Sequence, residues 1–570
     1  MMKQNEPVSW NDDDPFNPKL GLWTEARPGH TAPVAALQEV HPGTNASSRL
    51  IVAAQRRQLQ AFPCTQVLEA LTRLQVRDAS EQHGCSRWYA EEPHPVDSNA
   101  SFFICLNLLV LNRCYREDLD ELQDQLLQDL LRAFLPWFKG EAREGKVHYP
   151  NKFLGDLVCL WLLLESQEED PSPYEEILLR AARYWQDSSW GWGEHLSDVY
   201  SNILLDELSC LLLLSTQLPE ELRQAYEALF RNLLQLEDQY AGGPRVPCIR
   251  SYALNQGIPH NNYRSKIRVY DEAELPRHNP EAVPHSYILP FGQALMEQGW
   301  EELAGEPAPL QERFEVNCFG GAQGFVERQG ESRLGVLSAF PVMPDTDHSR
   351  WGLSWQSMPL AFFRSPGDWG LLRWSATEHG IERSHPARNK HDAYLQNALS
   401  DQVIPPIVGL TRSQRHQGQL VVERCMPRIS KEWTQVADRF CLTGFQGKAT
   451  SHPDLEGGWQ GLTLSWEDGM FLTLYVHPLD SGGRLEYEQQ DHGLEWSLIW
   501  DRDRLQSQTR LRSVWAVHLG SESPPAPHLQ EEQGWFERPH FLPGTAWYQL
   551  QWGEQRADLG RLPSENEREF

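Results

Sequence analysis

The chain has 570 residues, 40% of them hydrophobic, with 22 tryptophans and a formal net charge of -28. That length exceeds one ordinary core and fits two or three domains. The acidic balance argues against a nucleic acid or an anionic membrane held by a broad basic face, although a few arginines in one cleft suffice for an anionic small substrate.

Residues 1 to 30 read as an extended arm anchored by Trp10, Phe16 and Trp23, because proline and aspartate are too frequent for a regular element. The N-terminus lacks the apolar core of a secretion signal, which makes a cytoplasmic location the expectation, or a periplasmic or secreted one if a leader was removed. The longest apolar runs, Leu157 to Leu164 and Cys210 to Leu214, are far short of a membrane span. The ten cysteines form no CxxC pairs, so neither a disulfide framework nor a structural zinc site is expected.

From about residue 44 to 240 the period is helical. Leu119, Leu122, Leu126, Leu127, Leu130, Leu131 and Phe134 recur at spacings of three and four, as do Val199, Ile203, Leu204, Leu208, Leu211 and Leu212. Segments begin near 44, 64, 97, 118, 150, 172, 197 and 219, which pair into four helical hairpins. Pro150 sits where a first-turn proline is favoured, and Ser197 is a candidate N-cap. Residues 241 to 285 read as a long loop region, followed by one or two helices around Ser286 to Glu301.

Past residue 310 the period changes to two. Leu462 to Trp466, the turn Glu467-Asp468-Gly469 and Phe471 to Val476 form a hairpin, and Leu494 to Trp500 and Leu511 to Val517 continue the pattern. Many strands without intervening helices indicate a large antiparallel β-sandwich. The expected layout is α+β and multidomain: an arm over 1-30, an incomplete (α/α) toroid of helical hairpins over 31-305, the sandwich over 306-562, and a polar tail over 563-570.

Three clusters rich in Trp, Tyr, His and Glu each precede an apolar helix: Trp88-Tyr89-Ala90-Glu91-Glu92-Pro93-His94, then His148-Tyr149-Pro150-Asn151-Lys152, then Trp190-Gly191-Trp192-Gly193-Glu194-His195 running on to Tyr200 and Asn202. If successive helices run antiparallel, every second one points the same way, and the three decorated N-termini meet at one end of the bundle. The bland readings stand beside this one. The tryptophans would plug the bundle end, Glu194 and Ser197 would cap the next helix, and Tyr200, one turn inside its helix, would be a core tyrosine.

A helical hairpin array followed by an antiparallel sandwich resembles the polysaccharide lyases of the chondroitin, hyaluronate, alginate and heparinase II/III types. The resemblance covers most of the chain as architecture, and the order of Asn, His, Tyr and Arg does not match the family residue by residue. It implies β-elimination on an acidic oligosaccharide or polysaccharide containing uronic acid, in a cleft between toroid and sandwich, with no nucleotide or organic cofactor. The proton beside a carboxylate becomes acidic enough for a side-chain base only when donors stabilise the charge developing on that carboxylate.

On this reading Tyr200 and Tyr149 are the acid/base candidates, Asn151 and Arg264 the carboxylate neutralisers, and Glu194 and His195 supporting or catalytic groups. Trp88, Glu92, His94, His148, Trp190, Trp192, Asn202, Asn262, Tyr263, Trp355 and Gln356 are candidates for binding substrate. His348, His385 and His391 are metal candidates for a structural divalent ion in the sandwich, against a simpler reading as loop residues. The competing enzyme class is an (α/α)-barrel glycoside hydrolase, with Glu91 or Glu92 opposite Glu194 across the scissile bond. A carbohydrate-binding protein without catalysis is the third reading. The sequence leaves sugar, linkage and oligomeric state open.

Overall fold

In the computed structural model the described residues are 15-190, 195-240, 244-249, 263-267, 290-318, 321-339, 360-365, 367-385, 410-416, 419-426, 429-479, 482-490, 493-508, 510-532, 547-553 and 555-559. The architecture is α+β: helical hairpins lead, antiparallel sheets follow. Contacts divide the chain into two compact units. The first holds Met1–Asp187, Tyr200–Glu237 and Asn261–Pro307, and the second holds Ser188–Val199, Asp238–His260 and Ala308–Phe570.

The described part of the arm, from residue 15, folds locally. Strands β1 (Phe16–Asn17) and β2 (Leu22–Trp23) make a short antiparallel hairpin in place of the extended segment expected there. Gly21, at φ 71°, closes it, and Phe16 packs on Trp23 at 4.8 Å between ring centroids. Trp23 in turn stacks on Phe62 and lies under the guanidinium of Arg49, so aromatic packing overrides the poor strand propensity.

Eight helices follow in pairs: α1 (Gly43–Gln55) and α2 (Cys64–Leu74), α3 (Asn99–Cys114) and α4 (Glu121–Glu144), α5 (Pro150–Ser166) and α6 (Glu175–Ser188), α7 (Asp198–Leu214) and α8 (Glu220–Tyr240). Their starts fall within a few residues of the positions that periodicity predicts. The odd helices form an inner row. α3 packs on both α1 and α5, and Gly155 of α5 lets Glu207 of α7 and Phe102 of α3 come so close that a Cβ there would meet them at 2.8 and 2.7 Å.

Burial follows this placement. In α5 every residue from Pro150 to Leu164 is buried, whereas in α4 burial is confined to one stripe that includes Leu127, Leu130, Leu131, Phe134 and Phe138. A helix apolar all round belongs inside and an amphipathic one outside, so the alternation of the two types writes a double-layered, incomplete toroid into the sequence. Local signals set the ends. Asp120 and Gln123 form a reciprocal capping box at α4, and Gly145 at φ 65° ends it in the left-handed region. Short helices Tyr263–Lys266, Gly292–Glu297 and Trp300–Ala304 complete the described part of this unit.

The second unit is built of β3 (Arg313–Asn317), β4 (Gln323–Gln329), β5 (Ser332–Leu337), β6 (Leu360–Ser365), β7 (Asp368–Glu378), β8 (Ile381–His385), β9 (Leu410–His416), β10 (Gln419–Met426), β11 (Trp433–Thr443), β12 (Lys448–His452), β13 (Gln460–Ser465), β14 (Phe471–Pro478), β15 (Arg484–Gln490), β16 (Gly493–Asp501), β17 (Leu511–Gly520), β18 (His528–Glu532), β19 (Trp547–Trp552) and β20 (Gln555–Leu559). One sheet runs β15-β16-β11-β7-β6-β5-β4-β3 with β8 on β7, and another runs β12-β13-β14-β17-β10-β9. Their facing sides share one core, in which Leu372, Trp374 and Phe440 of the first meet Leu472, Trp515 and Val517 of the second. The expected hairpin is β13-β14, with Leu464 opposite Leu472. A third layer, β18-β19-β20, covers the other side of the six-stranded sheet, where Leu550, Trp552 and Leu559 pack on Val421, Tyr475 and Val514.

This unit also takes residues from the stretch read as toroid. The backbone of Val246 and Pro247 lies against Gly335 of β5, Leu196 and Pro247 pack near Gly324 of β4, and Val246 and Cys248 cover Ala361, Phe363 and Leu371. Arg328 donates to the carbonyl of Gln239 at 2.7 Å, and Gln239 donates to that of Pro309 at 2.8 Å.

Candidate functional site

The first cluster is a folded turn whose carboxylate works inward. Glu92 is 1% exposed; its Oε2 accepts from the backbone N–H of Trp88 at 2.8 Å and of Tyr89 at 3.2 Å, and its Oε1 accepts from the Thr31 hydroxyl. Both oxygens are thereby engaged, which removes Glu92 as a sugar ligand and as one member of a hydrolytic carboxylate pair. Glu91 is engaged as well, 2.5 Å from Nδ1 of His41, whose Nε2 lies 3.0 Å from the Thr24 hydroxyl. Trp88, 1% exposed, packs against Phe103 and the edge of His30; it is a core residue and offers no face for stacking. His94 is exposed.

The second cluster opens α5. Tyr149 is half-buried just ahead of Pro150, and its hydroxyl oxygen accepts from Nδ2 of Asn99, the first residue of α3, at 3.4 Å. Asn99 is held in turn, because its backbone N–H donates to Asp97 Oδ1 at 2.9 Å. The other oxygen of Asp97 lies 3.8 Å from His30 Nε2, and His30 Nδ1 lies 2.7 Å from the hydroxyl of Tyr89. A polar chain from Tyr149 through Asn99, Asp97 and His30 to Tyr89 therefore joins the first two clusters. Asn99, Asp97 and His30 are its links, and sequence reasoning missed all three. The signal available was Asn99 at the predicted start of α3.

Asn151 is 2% exposed, with Oδ1 accepting from the backbone N–H of Lys152 at 2.7 Å. Lys152 is buried between Glu141, at 2.7 Å, and Asp156. Burial, reinforced by the charge of Glu141 and opposed by that of Lys152, pushes the Asp156 carboxyl up to about 7. His148 is exposed.

On α7, Tyr200 is half-buried, and Asn202 holds a buried Oδ1 that finds no hydrogen-bond partner among the described residues. Tyr263 is fully buried and donates its hydroxyl to Asp206 at 2.8 Å, while Lys266 pairs with the other oxygen of Asp206. Tyr263 thus pins its short helix to α7, a position closed to substrate. Arg264 donates to the carbonyls of Gly305 at 2.7 Å and Ala304 at 3.2 Å, so its guanidinium caps the helix Trp300–Ala304. That is a different task from the carboxylate binding expected of it.

The third cluster parts from the other two. Trp190, at φ 67° and 4% exposed, and His195 belong to the second unit. His195 donates from Nε2 to the carbonyl of Asn317 at 2.9 Å, and its buried Nδ1 finds no partner among the described residues. Burial, with a smaller push from the charge of Arg245, lowers this imidazole to about 4. It is neutral at physiological pH. Trp192, Glu194, Asn262, Trp355, Gln356, His348 and His391 lie outside the described residues; His385 ends β8, with its side chain also outside them. Among the described residues no three or more His, Cys, Asp or Glu side chains converge as metal ligands, and no helix is long and apolar enough to cross a membrane.

No family model matches the sequence, and no curated protein matches it. Solved structures do. A heparan sulfate lyase mutant from Pedobacter heparinus aligns over 91% of this chain and 81% of its own, at 10% identity and a TM-score of 0.41. A heparinase III aligns over 87% and 90%, at 11% identity and a TM-score of 0.27. An α-L-rhamnosidase from Streptomyces avermitilis aligns over 82% of this chain and 38% of its own, at 12% identity and a TM-score of 0.22.

Proposed function

We propose that this protein cleaves a uronic-acid-containing glycan by β-elimination, with Tyr149 at the centre of the reaction. The observation that carries the reading is the contact from Asn99 to Tyr149. A phenol serves as base or acid only if its oxygen is reachable and its charged form is stabilised, and an amide N–H on that oxygen meets the second need. Half-burial of Tyr149 meets the first.

In the elimination, the phenolate takes the proton from the carbon beside the carboxylate. The electron pair becomes a carbon–carbon double bond as the bond to the glycosidic oxygen breaks, and that oxygen takes a proton. Asn151, the second residue of α5, is buried and steadies the helix start beside Tyr149 instead of meeting the substrate carboxylate, and the half-buried Tyr200 is the second proton carrier. The chemistry needs no nucleotide and no organic cofactor. Hydrolysis by paired carboxylates has less support, because Glu91 and Glu92 are both engaged elsewhere in the fold.

The test is a panel of acidic oligosaccharides and polysaccharides, following the ultraviolet absorbance of the unsaturated uronate beside a reducing-end assay. Rising absorbance that disappears in Tyr149→Phe supports the reading. New reducing ends without absorbance would replace elimination by hydrolysis.

A further inference from the structure

The nine-stranded sheet has a second face. Leu372, Trp374, Phe440, Leu442, Leu494 and Trp496 point into the sandwich core, so the period of two sends their neighbours the other way. Register sets those neighbours side by side: Trp369 opposite Thr443, Leu371 opposite Cys441, Arg373 opposite Arg439, and Cys441 opposite Glu495. Val246 and Cys248 cover Leu371, Ala361 and Phe363, with Trp369 packed at the margin of that patch. Beside it opens a hollow of about 220 Å³ lined by Trp369, Leu371, Arg373, Cys441, Thr443 and Glu495.

We propose that this hollow is a saccharide-binding subsite that holds one uncharged pyranose ring. Size is the first reason, since sites for drug-sized ligands run to about 300–1,000 Å³ and this one is smaller. Chemistry is the second. The half-buried indole of Trp369 offers a flat apolar surface for the C–H face of a sugar, and Thr443 and Glu495 stand beside it to exchange hydrogen bonds with hydroxyls.

Preorganisation is the third reason. Arg439 donates to Glu495 at 3.1 Å and to Glu382 at 3.0 Å, which fixes the carboxylate before any ligand arrives. The charges decide between a neutral ring and an acidic one. Two arginines, Arg373 and Arg439, stand beside two glutamates, Glu382 and Glu495, both of which pair with Arg439, so the charges balance in number and the site has no surplus cation for a uronate. The subsite lies wholly within the second unit and does not depend on the helical residues assigned to elimination.

Cys441 supplies the readout. It is half-buried in the lining of the hollow, and the other half-buried cysteine, Cys114 on α3, belongs to the first unit and serves as the internal reference. The full-length protein is alkylated with iodoacetamide under native conditions, with glucose, galactose, N-acetylglucosamine or glucuronate present, and labelling of each cysteine is followed by peptide mass spectrometry. At least one neutral sugar slows labelling of Cys441 several-fold and leaves Cys114 unchanged, with glucuronate protecting less. Trp369→Ala abolishes the protection, and the exposed Thr443→Val weakens it without disturbing the fold. Equal Cys441 rates with every sugar, protection that survives Trp369→Ala, or stronger protection by glucuronate than by any neutral sugar would overturn the proposal. Because Trp369→Ala leaves elimination on short oligosaccharides unaltered, loss of this subsite and loss of the lyase reading are separately visible.

Discussion

Arg424 and Asp438 meet at 2.8 Å inside the sandwich, one from each of its two large sheets. Neither side chain is more than 2% exposed. The other oxygen of Asp438 accepts from the Ser513 hydroxyl at 2.5 Å and from the Trp515 indole at 2.7 Å, and the guanidinium of Arg424 lies over Trp374. Desolvating two ions is compensated only by close partners; both oxygens of Asp438 are occupied, and Arg424 adds the Thr411 hydroxyl at 3.4 Å while its Nη2 has no partner among the described residues. Removing one ion strands the other. Asp438→Ala should therefore lower stability by about 3–5 kcal/mol, read from the urea midpoint, while Arg424→Met with Asp438→Leu recovers most of the loss. A single variant as stable as the parent would show that the pair does not join the sheets in solution.

The imidazole of His195 and the carboxyl of Asp156 give stability opposite dependences on pH. His195 is lowered from 6.5 to about 4 by burial, so between those values the unfolded chain holds a proton that the folded chain does not. Its contribution is complete above pH 6.5 and is lost as pH falls towards 4. Asp156 is raised from 3.8 to about 7, so the folded chain holds the extra proton in that window. Its contribution is complete below 3.8 and is lost as pH rises through 7. Urea midpoints across pH should show His195→Gln flattening the first slope and Asp156→Asn flattening the second. Curves parallel to the parent would contradict the burial of these groups.

Tyr149→Phe should reduce turnover of an acidic glycan by about 10²–10⁴-fold, the usual worth of a positioned acid or base. Asn99→Ala should cost about ten- to a hundredfold, as expected for one hydrogen bond to a charged oxygen. The loss should fall on kcat more than on KM, because the amide acts on the tyrosine and makes no contact with the sugar. An unaltered kcat in Asn99→Ala would remove the contact from the mechanism.

Gly335→Ala tests the strap that residues 244-249 lay over the nine-stranded sheet. An added Cβ would meet the carbonyl of Val246 and the nitrogen of Pro247 at 2.2 Å, which neither backbone can yield without moving. A loss of about 1–3 kcal/mol follows from overpacking of that kind, again measurable by urea denaturation. No change would mean that the strap is not seated on β5.

Periodicity made the helices legible because the inner ones are buried all round and the outer ones along a stripe; α5 and α4 differ in their residues as they differ in position. Strong alternation did the same for β13, β14, β16 and β17. The site was legible only as a neighbourhood. Tyr149 and Trp88 stand in obvious clusters, but whether a Trp or Glu turns inward depends on partners far along the chain, as Thr31 decides for Glu92 and Asp206 for Tyr263. The contact from Asn99 to Tyr149 spans two helix starts and leaves no local pattern. Nor does the strap at Val246–Cys248, whose proline and cysteine read as loop until the sheet beneath them is known.

The division of the chain has a further consequence for its biogenesis. The backbone passes from one unit to the other after Asp187, Val199, Glu237, His260 and Pro307, so neither is encoded by a continuous stretch. A ribosome that has released only the helices has already synthesised two pieces of the second unit, which must wait for strands made much later. Splitting the gene between the last helix and the first long strand would therefore yield two incomplete fragments. A fragment exchange that respected the real boundaries would have to carry 188-199 and 238-260 along with the strands.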